Sequence, residues 1–326
     1  MGKNRLNAKE DSLMAIKISK YHLVNVCLAI VMVALAVTAI RYYNHYVSAF
    51  TDITIESKVL NESRKVFIRL PANYDKSKAY PLIIKTDGNF NLDNWDRTLT
   101  AQRKAGEWDG AILVSIPNKF WKTTRNRDLV PPYARQEVNT EPRPEFQTLL
   151  EPNGEAHKFL KFIEAELLPH LQTHYKLNDQ RILSGFSAGG SFVLYTLHTK
   201  PELFNGYFAF SPAAWYDDMS VVKRFSDFLK TNNPKIKAPT FLYLTVGGAE
   251  HPLMLEAFQN LEATLNANPN ANLMWHSTVN PNAEHNDNPK QSLAKALVDY
   301  KEFVQSLTKH VGSGIAMHEE GLSINR

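Results

Sequence analysis

The residues best suited to chemistry lie at positions 183–190, where a glycine stands two places on either side of Ser187. This Gly-x-Ser-x-Gly spacing is typical of a sharp turn that ends a strand, begins a helix and holds a serine hydroxyl at the rim of a sheet. The amide of the next residue, Ala188, would then point to where an oxyanion forms on a substrate. The pattern therefore predicts a nucleophilic serine. The alternative is a glycine-rich turn with an incidental serine.

The flanking segments favour the nucleophile. Residues 181–184 are typical of a short buried strand, and residues 191–197 are an apolar helical run that ends near Pro201. Strand, turn and helix therefore follow one another in the order that the motif requires.

A serine hydroxyl needs a histidine to take its proton, and the histidine needs a carboxylate to hold its tautomer. Glu250 follows the predicted strand at residues 241–246, at the carboxyl end where catalytic groups of open α/β sheets lie. We predict Glu250 as the acid, the alternative being an acid that only favours a helix N-terminus. Asp217 and Asp218 are the next candidates.

His285 is the predicted base, because it follows the last predicted strand and precedes the final helix. His251 adjoins Glu250 on the same predicted loop, which makes a triad geometry awkward. His276 falls inside a predicted strand and is interpreted as structural. For the oxyanion hole we predict two backbone donors, Ala188 and, in the turn after an early strand, Gly88.

Short apolar runs alternate with helical periods along most of the chain, which predicts an α/β fold with a mostly parallel central sheet and helices on both faces. Residues 53–60 and 66–70 predict an antiparallel hairpin at one edge. Residues 117–154 are polar and proline-rich, so we predict an active-site flap there. The tail after His310 is predicted to be loosely ordered.

Residues 23–40 form an almost unbroken apolar run of about 27 Å as a helix, close to the thickness of a bilayer core. Five basic and two acidic residues precede the run, so the positive-inside rule predicts a cytoplasmic N-terminus and an exported remainder. A cleaved signal peptide is the alternative. The predicted division is a cytoplasmic segment (1–22), an anchor (23–40), a linker (41–51), a catalytic domain (52–308) and a tail (309–326).

Charge and cysteine content exclude several classes of function. Beyond residue 22 the chain has 32 basic and 31 acidic side chains, so no basic surface for nucleic acid is expected. The only cysteine, Cys27, lies in the apolar run. The exported part therefore has neither a disulfide framework nor a cysteine nucleophile.

From about residue 53 to 304 the chain resembles the putative esterase family of α/β-hydrolases, which includes enterochelin and salmochelin esterases and S-formylglutathione hydrolases. The segments that carry the resemblance lie in order along the chain: residues 80–83, 87–89, 125–131, 185–190 and 204–215, with Glu250 and His285. The family has threonine where this chain has Val130, so a polar contact from that position is lost.

The resemblance implies an α/β-hydrolase fold and serine ester hydrolysis with no metal or organic cofactor. It places Gly88 and Ala188 at the oxyanion hole, and Arg125 and Trp215 near the pocket for the acyl or leaving group. From the residues alone, Arg125 could equally be a solvated flap cation and Trp215 ordinary core packing. We expect a membrane-tethered esterase that acts on a small-molecule ester, and the predicted anchor favours a siderophore-type lactone. Acyl transfer to a sugar or lipid, or a catalytically silent binding module, are the alternatives.

Overall fold

The computed structural model describes residues 3–42, 49–108, 110–118, 124–134, 154–231 and 236–320. The chain forms two compact units, Met1–Ala49 and Phe50–Arg326.

Among the described residues, the first unit contains one long helix, α1 (Lys3–Tyr42). Its segment Tyr21–Arg41 has 21 residues, is apolar, and has no part buried within the protein. At about 1.5 Å per residue this length is enough to cross the hydrocarbon core of a bilayer. The candidate span agrees with the predicted run at residues 23–40. A signal sequence would have the same length, composition and place in the chain.

The second unit is built on a sheet for which the described residues supply eight strands. Their bounds are β1 Thr51–Ser57, β2 Glu62–Arg69, β3 Tyr80–Lys85, β4 Ile112–Ser115, β5 Leu177–Phe186, β6 Gly206–Phe210, β7 Thr240–Gly247 and β8 Leu273–Asn280. Their order in the sheet is β1-β2-β4-β3-β5-β6-β7-β8. β2 runs antiparallel to both β1 and β4, and every other neighbouring pair is parallel.

Helices cover both faces of this sheet. Their bounds are α2 Leu92–Lys104, α3 Thr124–Leu129, α4 Ala156–Phe162, α5 Leu168–His174, α6 Ala188–Thr199, α7 Tyr216–Lys230, α8 Pro252–Ala267 and α9 Asn288–Glu320, with a π-helical turn at Ile163–Leu167 between α4 and α5. One hydrophobic cluster lies under α4 to α8, and the other lies under α2 and α9. Along β6, Tyr207 faces the first cluster and Phe208 the second, as the alternation of strand side chains requires. The predicted α/β-hydrolase fold is confirmed.

Three segments extend or change the sequence-based expectations: the C-terminal tail, strand β5 and the predicted flap. The tail was expected to be loosely ordered after His310, but the backbone of α9 continues as a helix to Glu320. No proline follows Pro289 to interrupt it. Strand β5 begins at Leu177, earlier than the apolar run at residues 182–184 indicated, because the intervening residues 178–181 are polar and give no apolar signal. The predicted flap contains the short helix α3, whereas residues 119–123 and 135–153 lie outside the described residues.

Candidate active site

Ser187 occupies the turn between the end of β5 and the start of α6. Its backbone is strained, with φ 57° and ψ −119°, a conformation that non-glycine residues rarely adopt and that surrounding structure must hold. The Ser187 N–H donates to the carbonyl of Phe210 (3.0 Å), and the Ser187 carbonyl accepts from the N–H of Ala213 (3.0 Å). A Cβ on Gly185 would lie only 2.0 Å from the carbonyl oxygen of Gly189, so the turn requires glycine there. The predicted strand, turn and helix are therefore present.

Glu250 and His285 meet at the carboxyl ends of neighbouring strands. Glu250 follows β7, His285 follows β8, and Nδ1 of the imidazole lies 2.6 Å from Oε2 of the carboxylate. A carboxylate only accepts hydrogen bonds, so Nδ1 carries the proton of this contact, and in a neutral imidazole the lone pair is then on Nε2. The pair can therefore present a nitrogen that accepts a proton.

Three donors surround the carboxylate of Glu250. Besides His285, the hydroxyl of Ser211 (2.5 Å) and the N–H of Gly247 (2.7 Å) donate to Oε1. Burial by itself raises the pKa of Glu250, but the hydrogen bonds from His285, Ser211 and Gly247 outweigh it and hold the pKa below its ordinary value. Glu250 is therefore ionised near neutral pH although its side chain is fully buried.

Ser187, Glu250 and His285 border one cavity of about 320 Å³. Its remaining lining consists of Ala213, Trp215, His251 and Met254. Trp215 also packs against the larger hydrophobic cluster, so it is both a cavity wall and part of the core. The structure thus brings together the three residues predicted from the sequence and one predicted pocket residue, while their catalytic roles stay predictions.

The alternative acids and bases are placed differently. Asp217 and Asp218 lie in the first turn of α7, where Asp218 is paired with Lys223. His251 caps α8, and its Nδ1 accepts a hydrogen bond from the N–H of Leu253 (3.2 Å). It borders the cavity on the same loop as Glu250, as expected.

His276 is placed as the sequence indicated. It lies in β8, with Nδ1 3.0 Å from the carboxylate of Asp299, away from the cavity bordered by Ser187. Its interpretation as a structural residue agrees with this placement.

The prediction that the Gly88 amide serves the oxyanion hole is wrong. Its N–H donates to the backbone carbonyl of Ile116 (2.8 Å) and therefore does not point to a substrate. The glycine is needed for packing, because a Cβ there would lie 2.6 Å from the N atom of Ile116. Among the described residues, no partner accepts the N–H of the next residue, Asn89, which makes it the better candidate donor from this loop. As the first residue of α6, Ala188 also has an N–H that no preceding turn of helix can use.

Arg125 is not a solvated cation. Its guanidinium donates to both carboxylate oxygens of Asp87 at 2.7 to 3.1 Å, and its side chain is only 19% exposed. Asp87 also accepts from the amide side chain of Asn118 (3.1 Å). Arg125 thereby supports the turn that contains Gly88 and Asn89, and a contact with substrate stays a prediction. Val130, where the family has threonine, is buried.

The sequence analysis missed a buried polar group beneath Glu250. The side-chain amide of Asn288, at the start of α9, donates to the hydroxyls of Ser211 (2.7 Å) and Thr245 (2.9 Å). Ser211 in turn donates to Glu250, so Asn288 orients the hydroxyl that orients the carboxylate. Ser211 belongs to a segment that carries the family resemblance, which was the available signal. For Asn288 the sequence offers none.

No group of three or more potential metal ligands occurs among the residues that the structure describes.

Comparison with known proteins agrees with this geometry. The sequence profile of the family described as Putative esterase matches residues 57–312. The ferri-bacillibactin esterase BesA of Bacillus subtilis (strain 168) is 30% identical over 204 residues, which cover 58% of this chain and 70% of the relative. The siderophore triacetylfusarinine C esterase of Aspergillus fumigatus is 27% identical over 181 residues, which cover 53% of this chain and 58% of the relative.

Solved structures show the same fold. The BES protein from Bacillus cereus has a TM-score of 0.66 at 24% identity, over 77% of this chain and 95% of that one. The enterobactin esterase FES from Shigella flexneri has a TM-score of 0.58 at 21% identity, over 79% of this chain and 59% of that one. Since the family profile covers most of its length, the chain belongs to the putative esterase family and is a carboxylic ester hydrolase.

Proposed function

We propose that the chain hydrolyses esters with Ser187 as nucleophile, His285 as general base and Glu250 as the acid that orients His285. The observation that carries this proposal is the 2.6 Å contact between His285 and Glu250 at a cavity that Ser187 also borders. The strained turn at Ser187 supports it, because such strain persists at sites where a side chain must be held in one place.

In the proposed reaction, Nε2 of His285 takes the hydroxyl proton of Ser187 while the serine oxygen attacks the ester carbonyl carbon. The N–H groups of Ala188 and Asn89 receive the charge that develops on the carbonyl oxygen. His285 then gives its proton to the departing alcohol, which leaves an acyl-enzyme. Water then attacks the acyl carbon while the same nitrogen takes its proton. His285 returns this proton to the Ser187 oxygen as the acyl–oxygen bond breaks, which releases the acid and restores Ser187.

For the substrate we propose a siderophore-type ester. The relatives reported above include esterases named for ferri-bacillibactin and triacetylfusarinine C, and a solved relative is an enterobactin esterase. Met254 and Trp215 give the cavity that Ser187 borders two apolar walls. These walls fit the apolar part of an acyl or alcohol group next to the scissile bond.

We also propose that the esterase domain acts outside the cytoplasmic membrane. The apolar part of α1 serves as the anchor, after a cytoplasmic segment at residues 1–22 and before a linker at residues 41–51. The basic residues ahead of the anchor support this orientation. The catalytic domain would occupy residues 52–308, and residues 309–326 would follow it as a tail.

The full chain in detergent, treated with a fluorophosphonate probe, tests the proposal. We expect the wild type to be labelled, Ser187→Ala to be spared, and His285→Ala to lose turnover of a small aryl ester while it stays folded. Absence of labelling in folded wild type would favour a silent binding module. If an added alcohol, and not water, captures the acyl group, the chain is an acyltransferase.

A further inference from the structure

Lys85 is a buried cation that the proposed reaction does not use. It is the last residue of β3, only 6% of its surface is exposed, and it precedes the turn at residues 86–90. Its ammonium group donates to the carbonyls of Thr86 (3.1 Å) and Asp87 (2.7 Å). Burying an ammonium group costs free energy unless it gains hydrogen bonds, so a lysine here requires a reason.

The backbone held by Lys85 is strained. Asp87 has φ 49°, the left-handed region that non-glycine residues rarely adopt, and such strain persists only where the surroundings fix it. The Asp87 carbonyl accepts from both Lys85 and the N–H of Phe90 (2.9 Å). The N–H of the same peptide unit belongs to Gly88 and donates to Ile116. That peptide plane is therefore held at both ends.

The next peptide unit carries the N–H of Asn89, the candidate oxyanion donor. The side chain of Asn89 is also held, because its Oδ1 lies 3.3 Å from the N–H of Asn118. Because the Phe90 N–H closes the turn onto the same Asp87 carbonyl, fixing the Asp87–Gly88 peptide also restricts the orientation of the Asn89 amide inside that turn. An oxyanion donor acts only when it is aimed at the developing charge before the reaction begins.

We propose that Lys85 is a positioning residue for the oxyanion hole, holding the strained Asp87 carbonyl so that the Asn89 amide points at the reacting ester. This inference rests on the proposed function. Lys85 need not touch the substrate, since it acts through the backbone of residues 87–89.

Among the described residues, two charged groups act on Lys85: Asp87 in the turn itself and Arg125 in α3. Burial lowers the pKa of Lys85, Asp87 raises it, Arg125 lowers it, and together they bring it to about 8. Lys85 is therefore protonated at neutral pH and loses its charge as the pH rises through about 8. Charge-assisted hydrogen bonds are roughly twice as strong as neutral ones, so the hold on Asp87 weakens in this range.

The test compares Lys85→Met with Lys58→Met, the same change at an exposed lysine on the β1–β2 turn. Both are measured as full chains in detergent with a small aryl ester from about pH 7 upward, and the rate of Ser187→Ala is subtracted as background. We expect Lys85→Met to lower kcat about 10- to 100-fold with little change in KM, because donors are misaligned without loss of the pocket. Lys58→Met should match the wild type.

The pH profile separates positioning from a purely structural role. The wild-type kcat should fall as the pH rises through about 8, and the profile of Lys85→Met should lack this step. A wild-type kcat in Lys85→Met, or the same alkaline step in both proteins, would overturn the inference. If Lys85→Met does not fold, the pH dependence of the wild-type kcat is the test. A constant wild-type kcat up to about pH 10 would refute the positioning role of Lys85.

A different measurement tests the proposed function itself. Activity that survives Ser187→Ala would refute the nucleophile, whatever Lys85→Met does.

Discussion

At the scale of single residues, the hydrogen-bond donors around Glu250 determine the charge of its carboxylate. Its carboxylate accepts from one imidazole, one hydroxyl and one backbone amide. These donors stabilise the ionised form in a place where burial alone would favour the neutral one. In the proposed reaction, an ionised Glu250 would hold the Nδ1 proton of His285 and stabilise the imidazolium formed when Ser187 loses its proton.

Glu250→Gln should therefore impair turnover severely. An amide at this position can donate to Nδ1 and favour the wrong tautomer, and it has no charge to stabilise the imidazolium. We expect kcat for an aryl ester to fall about 10³- to 10⁴-fold, the scale known for the corresponding change in serine proteases. The matched control is Asp218→Asn in α7, which should keep kcat near the wild-type value. A near-normal rate in Glu250→Gln would make another acid responsible.

At the scale of elements, the turn between β5 and α6 depends on glycine for steric reasons. The virtual Cβ of Gly185 meets backbone atoms of Gly189, and backbone cannot move aside as a flexible side chain can. Gly190 is also confined, because its Cβ would lie 2.9 Å from Cα of Pro212. The nucleophile turn is therefore packed against both its own helix and the segment after β6.

Gly185→Ala should accordingly damage the fold as well as the activity. Overpacking against backbone costs about 3 kcal/mol or more, which corresponds to a fall of roughly 10 °C in the thermal midpoint for a domain of this size. Gly106→Ala is the matched control, since that glycine has φ 72° and open space around it. It should cost about 1 kcal/mol from backbone strain alone. Equal midpoints for the two variants, measured by thermal denaturation, would contradict this account.

Elements with a local signal were predictable from the sequence. The apolar runs located the strands, and the glycine spacing located Ser187 in its turn. The Gly88 amide was misassigned because its partner, Ile116, lies on another strand and no local pattern reveals it. The pair Arg125–Asp87 and the contact of Asn288 with Ser211 were missed or left open for the same reason. Such contacts depend on tertiary packing, which short-range patterns do not encode.

At the scale of the whole molecule, the arrangement of charge along the chain bears on where the enzyme works. Residues 1–22, which precede the apolar run, have a net charge of +3, whereas the rest of the chain is close to neutral. A bilayer-spanning segment with this asymmetry keeps its basic end in the cytoplasm. The proposed orientation would place the esterase unit on the other side of the membrane.

Cysteine labelling tests this orientation, because Cys27 is the only cysteine in the sequence and can be replaced. In a Cys27→Ser background, Lys58→Cys places a thiol on an exposed position of the esterase unit, and Lys9→Cys places one ahead of the apolar segment of α1. A membrane-impermeant maleimide should label Lys58→Cys in cells whose cytoplasmic membrane is sealed. Lys9→Cys should react only after lysis, because a charged reagent cannot cross the hydrocarbon core. The reverse pattern, or protection of both thiols until lysis, would show that the esterase unit faces the cytoplasm.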